Sequence, residues 1–118
     1  MDGDVLVTDT RFYQVRKNAP ISVSVTVGFS QAGGTAMTLN GTPIPVNQNG
    51  PTPIGAGDLT GSVLQCVTNV KDQNVATNKT SVTYTLDGGV QRVEYPYSVE
   101  VKKDSGVAKY FITFVLAA

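Results

Sequence analysis

Strict alternation of apolar and polar residues is the feature that most constrains how this chain can fold. Residues 21–27 read Ile-Ser-Val-Ser-Val-Thr-Val, and the same period of two returns in residues 81–86 and 92–101. Successive side chains of a β-strand point to opposite faces of a sheet, so this period predicts strands with one buried face. No window shows the apolar recurrence of an amphipathic helix. The pattern therefore predicts an all-β protein with almost no helix.

Turn-forming residues separate the alternating runs. Asn40-Gly41 predicts a two-residue hairpin, because a type I′ turn requires a positive φ at both central positions. Residues 87–89 (Asp-Gly-Gly) and 104–106 (Asp-Ser-Gly) interrupt the later runs, which predicts a three-stranded meander in the C-terminal third. Pro43 and Pro45 cannot donate to a sheet ladder, so we expect their strand to lie at a sheet edge.

Three further features of the sequence predict which strands lie at the edge or at the centre of a sheet. Pro96 indicates an edge strand or a bulge, and the Pro- and Gly-rich residues 50–61 predict a long loop or an edge crossing. Residues 107–116 are apolar at both parities. Such a strand either lies centrally with both faces covered or presents an apolar face to a partner.

These features predict an antiparallel β-sandwich of about seven to eight strands, immunoglobulin-like in general form, with a jelly roll or an open barrel as the alternative. We expect residues 1–118 to form a single domain. Strand count and turn spacing resemble those of the small all-β modules found in bacterial surface proteins and phage particles. The tryptophan and the paired cysteines of an antibody domain are absent from the chain.

Composition excludes several chemistries. The chain has no histidine, which excludes Ser-His-Asp, Cys-His and histidine-ligated metal sites. Its single cysteine excludes an internal disulfide, and nine basic residues balance nine acidic ones. The net charge of zero therefore indicates no nucleic-acid partner. We also expect no membrane insertion, because no apolar run approaches the roughly 18 residues of a spanning helix.

The remaining candidates for catalysis or metal binding are weak. The triplet 104–106 has the letters of an aspartic-protease motif, but Lys102 and Lys103 precede it and indicate a solvated turn. Glu94 and Glu100 would lie roughly 20 Å apart at about 3.3 Å per residue, too far for a glycosidase pair. Asp72 lies in a polar connection without the spacing of a calcium loop. We therefore predict no enzyme activity, cofactor or metal.

Cys66 and the tyrosines of residues 93–101 have structural interpretations. Cys66 lies in a strand pattern without a basic neighbour, which predicts a buried, unreactive thiol. Tyr95 and Tyr97 share a face with valines, so we expect their rings to fill the core with the hydroxyls at its rim rather than to form a stacking platform.

Candidate partner contacts come from three places in the chain. Asp58 is the one charged residue between positions 18 and 70, and a surface poor in charge is easily desolvated. Near the N-terminus, Phe12 and Tyr13 are consecutive and therefore lie on opposite sides of a strand. Phe111 lies in the run 107–116, which is apolar at both parities. The predicted contact residues are Phe12, Tyr13, Pro53, Ile54, Asp58 and Phe111.

Two hypotheses for function follow. The first is a non-catalytic binding or adhesion module of a surface or secreted protein, with a protein or glycan partner contacted through loops or a sheet face. The second is a self-assembling structural subunit of the phage capsid or tail type, a homo-oligomer favoured by zero net charge. The acidic N-terminus does not match a signal peptide. The resemblance favours an extracytoplasmic or virion location.

Overall fold

The computed structural model describes residues 5–29, 31–48, 50–55, 58–73, 76–101 and 106–118 of the 118-residue chain. Within these ranges it contains nine β-strands and no helix. The strands are β1 (Val5–Gln14), β2 (Ile21–Val27), β3 (Ala32–Leu39), β4 (Thr42–Ile44), β5 (Thr52–Gly55), β6 (Val63–Lys71), β7 (Lys79–Asp87), β8 (Val93–Glu100) and β9 (Val107–Ala117).

The nine strands form two sheets that share one hydrophobic core. Sheet A has the order β1-β9-β6-β3-β4, and sheet B has the order β5-β2-β7-β8. Every pairing is antiparallel except that of β1 with β9, which is parallel. The structure confirms the predicted β-sandwich, with two separate sheets rather than one open barrel.

The core lies between the inner faces of the two sheets, as the period of two requires. Ile21 and Val23 of β2 are buried, and so are the alternate residues of β6, β7 and β9. The largest fully buried side chains are those of Tyr13, Tyr84, Tyr110 and Phe114. Tyr84 and Phe114 meet edge to face with ring centroids 5.8 Å apart, which is a favoured aromatic geometry.

The predicted hairpin at Asn40-Gly41 is confirmed. Both residues have a positive φ, 51° at Asn40 and 83° at Gly41, and Leu39 pairs with Thr42 across the turn. The Asn40 side chain also accepts a hydrogen bond from the Val63 backbone N–H at 2.8 Å. This bond ties the hairpin to β6, so the turn is held by its own backbone and by the neighbouring strand.

The proline-containing segments lie at sheet edges. β4, which contains Pro43, ends sheet A, and β8, which contains Pro96, ends sheet B; both edge predictions are confirmed. Residues 50–61, predicted to form a long loop or an edge crossing, contain the short strand β5, which ends the other side of sheet B. Its alternation buries Thr52 and Ile54 against the core, which explains why this short strand forms.

The predicted C-terminal meander is wrong. β7 and β8 pair as expected, but β9 crosses to sheet A, where it lies between β1 and β6. Pro96 suits β8 to an edge, because a residue without an N–H cannot complete a central ladder. Of the predicted turn 104–106, residues 104 and 105 lie outside the described residues.

Candidate functional site

The outer face of sheet A carries two apolar rows that run across its strands. Phe12, Val115 and Val63 are register partners on β1, β9 and β6 and form the first row. Phe111 and Val67 are partners in the second row, which is four residues away along β9. The intervening row is polar but uncharged and consists of Thr10, Thr113, Gln65 and Thr38.

This face is open to solvent and nearly free of charge. Phe12 has 70% of its surface exposed, and Leu6, on the same side of β1, has 64%. The valines of the two rows and Phe111 are half-buried. Lys71 and Lys109 are the charged residues that the described strands place on this face, and both lie toward one end of it. When a partner covers such a surface, few charged groups lose their contact with water.

The outer face of sheet B is chemically different. Its central rows join Ser24 to Thr85, and Thr26 to Thr83, across β2 and β7. Glu94 and Pro96 continue these rows on β8, at the sheet edge. We call this surface the hydroxyl face. Thr26 is exposed, Ser24 and Thr83 are half-buried, and Thr85 is 6% exposed. The outer face of sheet B is therefore lined by small polar side chains, whereas that of sheet A has two apolar rows.

The structure separates the predicted contact residues into two groups and a buried pair. Phe12 and Phe111 lie on the outer face of sheet A, in its two apolar rows. Pro53 is exposed in β5, opposite Ser22 on the outer face of sheet B, and Asp58 is exposed in the segment after β5. The two buried residues are Tyr13, which is 1% exposed, and Ile54, which is 4% exposed. We therefore leave those two out of the candidate surface.

Three members of the apolar rows were missed as contact residues. Val63, Val67 and Val115 stand opposite the buried positions of their strands, so period two alone assigns them to solvent. The available signal was that residues 63–70 and 107–116 are apolar at both parities. Only the pairing of β6 with β9 shows that these side chains are neighbours.

The edges of the two sheets meet where β1 passes over β8. The Tyr97 hydroxyl donates a hydrogen bond of 2.9 Å to an Asp9 carboxylate oxygen, and the Arg11 guanidinium lies 4.9 Å from the centre of the Tyr95 ring. Burial, followed by the hydrogen bond to Asp9, raises the pKa of Tyr97 to about 12. Tyr95 is 3% exposed, which confirms that its ring belongs to the core. Both tyrosines are thus engaged within the protein.

Two other residues whose side chains could react or bind a metal, Cys66 and Asp72, are buried within the fold. Cys66 is fully buried, as predicted, and burial raises the pKa of its thiol to about 12. The Asp72 carboxylate is 3% exposed and accepts a hydrogen bond of 3.0 Å from the Gln31 amide. Among the described residues, no group of three or more acidic or cysteine side chains has a metal-binding arrangement.

Comparison with known proteins identifies no relative: no family model, no curated protein and no solved structure matches the chain. Within the described ranges, the structure also has no helix with the length and hydropathy needed to cross a bilayer. The chemistry of the two outer faces is therefore the basis for considering function.

Proposed function

We propose that this protein is a non-catalytic binding module that holds a protein partner against the outer face of sheet A. The observation that carries the proposal is the contrast between the two outer faces of the sandwich. Sheet A presents two apolar rows with Phe12 largely exposed, whereas sheet B presents hydroxyl groups. Contiguous exposed apolar surface on a soluble protein is typical of interaction sites.

The chemistry of the face favours a protein over a glycan. Aliphatic side chains such as Val67 and Val115 complement the apolar side chains of another protein. Sugars stack on open aromatic rings, and Phe12 is the one largely exposed ring among the described residues of this face. Tyr95 and Tyr97, the aromatic pair that the sequence offered for stacking, are engaged with Arg11 and Asp9. The threonines between the apolar rows can form hydrogen bonds at the centre of an interface.

The size of the face suits a specific interface. Five strands about 4.8 Å apart and about eight residues long cover roughly 24 by 26 Å, or about 600 Å². A standard interface buries about 800 Å² of accessible surface on each partner. Sheet A therefore supplies most of that area without help from the loops.

Site-specific photocrosslinking tests the proposal. A photoreactive amino acid replaces Thr113 on sheet A in one variant and Ser24 on the hydroxyl face in its matched control. In an extract of the source cells, we expect the first variant to form one discrete adduct that the second does not form. Equal labelling from both faces, or from neither, would contradict the proposal.

Affinity for the captured protein, once purified, completes the test. Val67→Thr with Val115→Thr keeps side-chain shape and strand propensity but places hydroxyl groups in both apolar rows. We expect at least about a tenfold loss of affinity, equivalent to about 1.4 kcal/mol. Thr26→Val with Thr83→Val on the hydroxyl face is the control and should leave affinity unchanged. An unaltered affinity in the sheet A variant would contradict the proposal.

Other outcomes would favour the alternatives. Saturable binding on a glycan array that the sheet A variant does not weaken would indicate a glycan module. Light scattering from a large closed particle would favour a self-assembling structural subunit. Turnover of any substrate would establish an enzyme instead.

A further inference from the structure

Three of the four sheet edges carry features that prevent another strand from pairing with them. β4 has three residues and contains Pro43, and β5 has four residues, contains Pro53 and lies beside a register shift in β2. β8 contains Pro96 between Glu94 and Glu100. Short strands, prolines, bulges and charges are the usual protections of a sheet edge.

β1 lacks the short length, the proline and the bulge that protect the other edges, and its two charged residues, Asp9 and Arg11, are opposite in sign. It has ten residues and no proline, its pairing with β9 is in continuous register, and it carries two of the three exposed large apolar residues of the described chain, Leu6 and Phe12. Long edge strands of this kind pair readily with a strand from another chain. At its N-terminal half, the edge of β1 is therefore open to pairing with a strand from another chain.

The hydrogen-bonding groups on this edge belong to the even-numbered residues. The Val15 N–H donates to Ala117 of β9, so odd-numbered residues face β9. The carbonyls of Phe12 and Gln14 face away, since they accept bonds from the Tyr95 hydroxyl and the Val90 N–H. The Thr10 N–H donates to the side chain of Asp9. Toward the N-terminus, the outward backbone groups of Leu6 and Thr8 have no partner among the described residues.

Charges on β1 determine how a second β1 strand can align with it in antiparallel pairing. When Thr10 lies opposite Thr10 of the second copy, Asp9 lies opposite Arg11 of that copy, and the same contact repeats across the two-fold axis. A shift of two residues in one direction places Asp9 opposite Asp9, and a shift in the other places Arg11 opposite Arg11. Opposite charges across a strand pair stabilise it, and like charges destabilise it.

The apolar residues fit the same alignment. Leu6 then lies diagonally across from Phe12 of the second copy, about 7–8 Å away and within reach of an aromatic side chain. The contact occurs twice and covers the two large side chains that the monomer leaves exposed. Shifts by an odd number of residues are excluded, because they would place outward backbone groups opposite residues that face β9.

We propose that two copies of this chain pair through antiparallel β1 strands, with Thr10 on the two-fold axis, and thereby join their A sheets into one continuous sheet. In the dimer, Thr10 exchanges its bond to the Asp9 side chain for a bond to Thr10 of the second copy, and Asp9 pairs with Arg11 across the axis. The bond from Val90 to Gln14 marks the end of the ladder. This inference does not depend on the proposed function of the outer face.

Cysteine crosslinking tests the alignment. Directly opposite residues in a hydrogen-bonded pair have Cα atoms about 5.5 Å apart, which a disulfide can span. Thr10→Cys should therefore yield a covalent dimer rapidly on mild oxidation. Thr8→Cys is the matched control, since two Thr8 residues would lie roughly 13 Å apart. Wild-type protein, whose Cys66 is buried, should not crosslink. Faster linkage through Thr8→Cys than through Thr10→Cys would overturn the alignment.

Charge exchange tests the pairing without a disulfide. By analytical ultracentrifugation we expect a wild-type dimer, and at least about a tenfold weaker dimer for Asp9→Arg or Arg11→Asp alone. An equimolar mixture of the two variants should form a heterodimer, because each then offers the charges that the other lacks. Circular dichroism verifies that both variants fold. A monomeric wild type at the highest soluble concentration, or a mixture that stays monomeric, would overturn the proposal.

Discussion

Three hydroxyl groups in a row connect the two sheets through the core, and they allow a quantitative test of the packing. The Tyr84 hydroxyl on β7 lies 2.6 Å from the Thr68 hydroxyl on β6, which lies 2.9 Å from the Thr35 hydroxyl on β3. Tyr84 and Thr68 are both 0% exposed, whereas Thr35 is half-buried. One hydroxyl can donate one bond and accept others, so Thr68 can satisfy both neighbours.

The two single substitutions should differ in their effect on the free energy of unfolding. Tyr84→Phe removes one hydrogen bond but leaves Thr68 bonded to Thr35, so we expect a loss of about 1 kcal/mol. Thr68→Val keeps the side-chain shape but leaves the buried Tyr84 hydroxyl without its partner. An unsatisfied buried polar group costs about 1–3 kcal/mol, and we expect about 2 kcal/mol here.

The double variant is the decisive measurement. With both hydroxyls absent, no buried polar group is left unsatisfied at the pair, so we expect a total loss of about 1 kcal/mol. The double variant should therefore be about 2 kcal/mol more stable than the sum of the single losses predicts. Urea unfolding followed by circular dichroism measures all four proteins. Additive losses, within about 0.5 kcal/mol, would refute the proposed coupling between the sheets.

Three further predictions concern backbone, thiol and pH. Gly88 has a φ of 97°, and a Cβ there would clash with the Pro20 carbonyl oxygen, so Gly88→Ala should lower the urea midpoint of unfolding. Gly34→Ala is the control, because a Cβ at Gly34 would have nothing within 4 Å, and it should leave the midpoint nearly unchanged. The Cys66 thiol, with its pKa raised from 9.0 to about 12, should react slowly with a thiol reagent in native protein and rapidly in denaturant; fast native reaction would contradict its burial. Burial of Tyr97 raises its pKa from 10.0 to about 12. The stability that the protonated Tyr97 hydroxyl contributes should therefore be complete below pH 10.0 and decline as the pH rises toward 12. Urea midpoints measured across this pH range should show a smaller decline for Tyr97→Phe.

Local chemistry was sufficient to predict most of the strands. The alternation in residues 21–27 depends only on neighbours along the chain, and β2 forms there with Ile21 and Val23 buried. The hairpin at Asn40-Gly41 was equally predictable, because the positive φ values depend on the two residues themselves. Prolines placed β4 and β8 at edges for a similarly local reason: a residue without an N–H cannot complete a central ladder.

Pairing between distant strands was not predictable in the same way. The period of two assigns a side chain to one face of a strand, but it contains no information about which strand lies beside it. Hence the turn pattern predicts β9 next to β8, whereas β9 lies between β6 and β1. The same limit applies to the candidate surface: the sequence predicts Tyr13 and Ile54 as contacts, whereas the packing of the two sheets buries both.

Local features of the sequence suffice to predict that the chain forms sheets and where the Asn40-Gly41 hairpin turns. The row formed by Phe12, Val115 and Val63 exists only because the folded chain pairs β1 with β9 and β9 with β6. The folded chain also leaves β1, rather than a proline-bearing strand, as the long open edge. The physical reason is that turn geometry and side-chain alternation depend on adjacent residues. Surfaces and edges depend instead on contacts between strands far apart in the chain, which only the folded core selects.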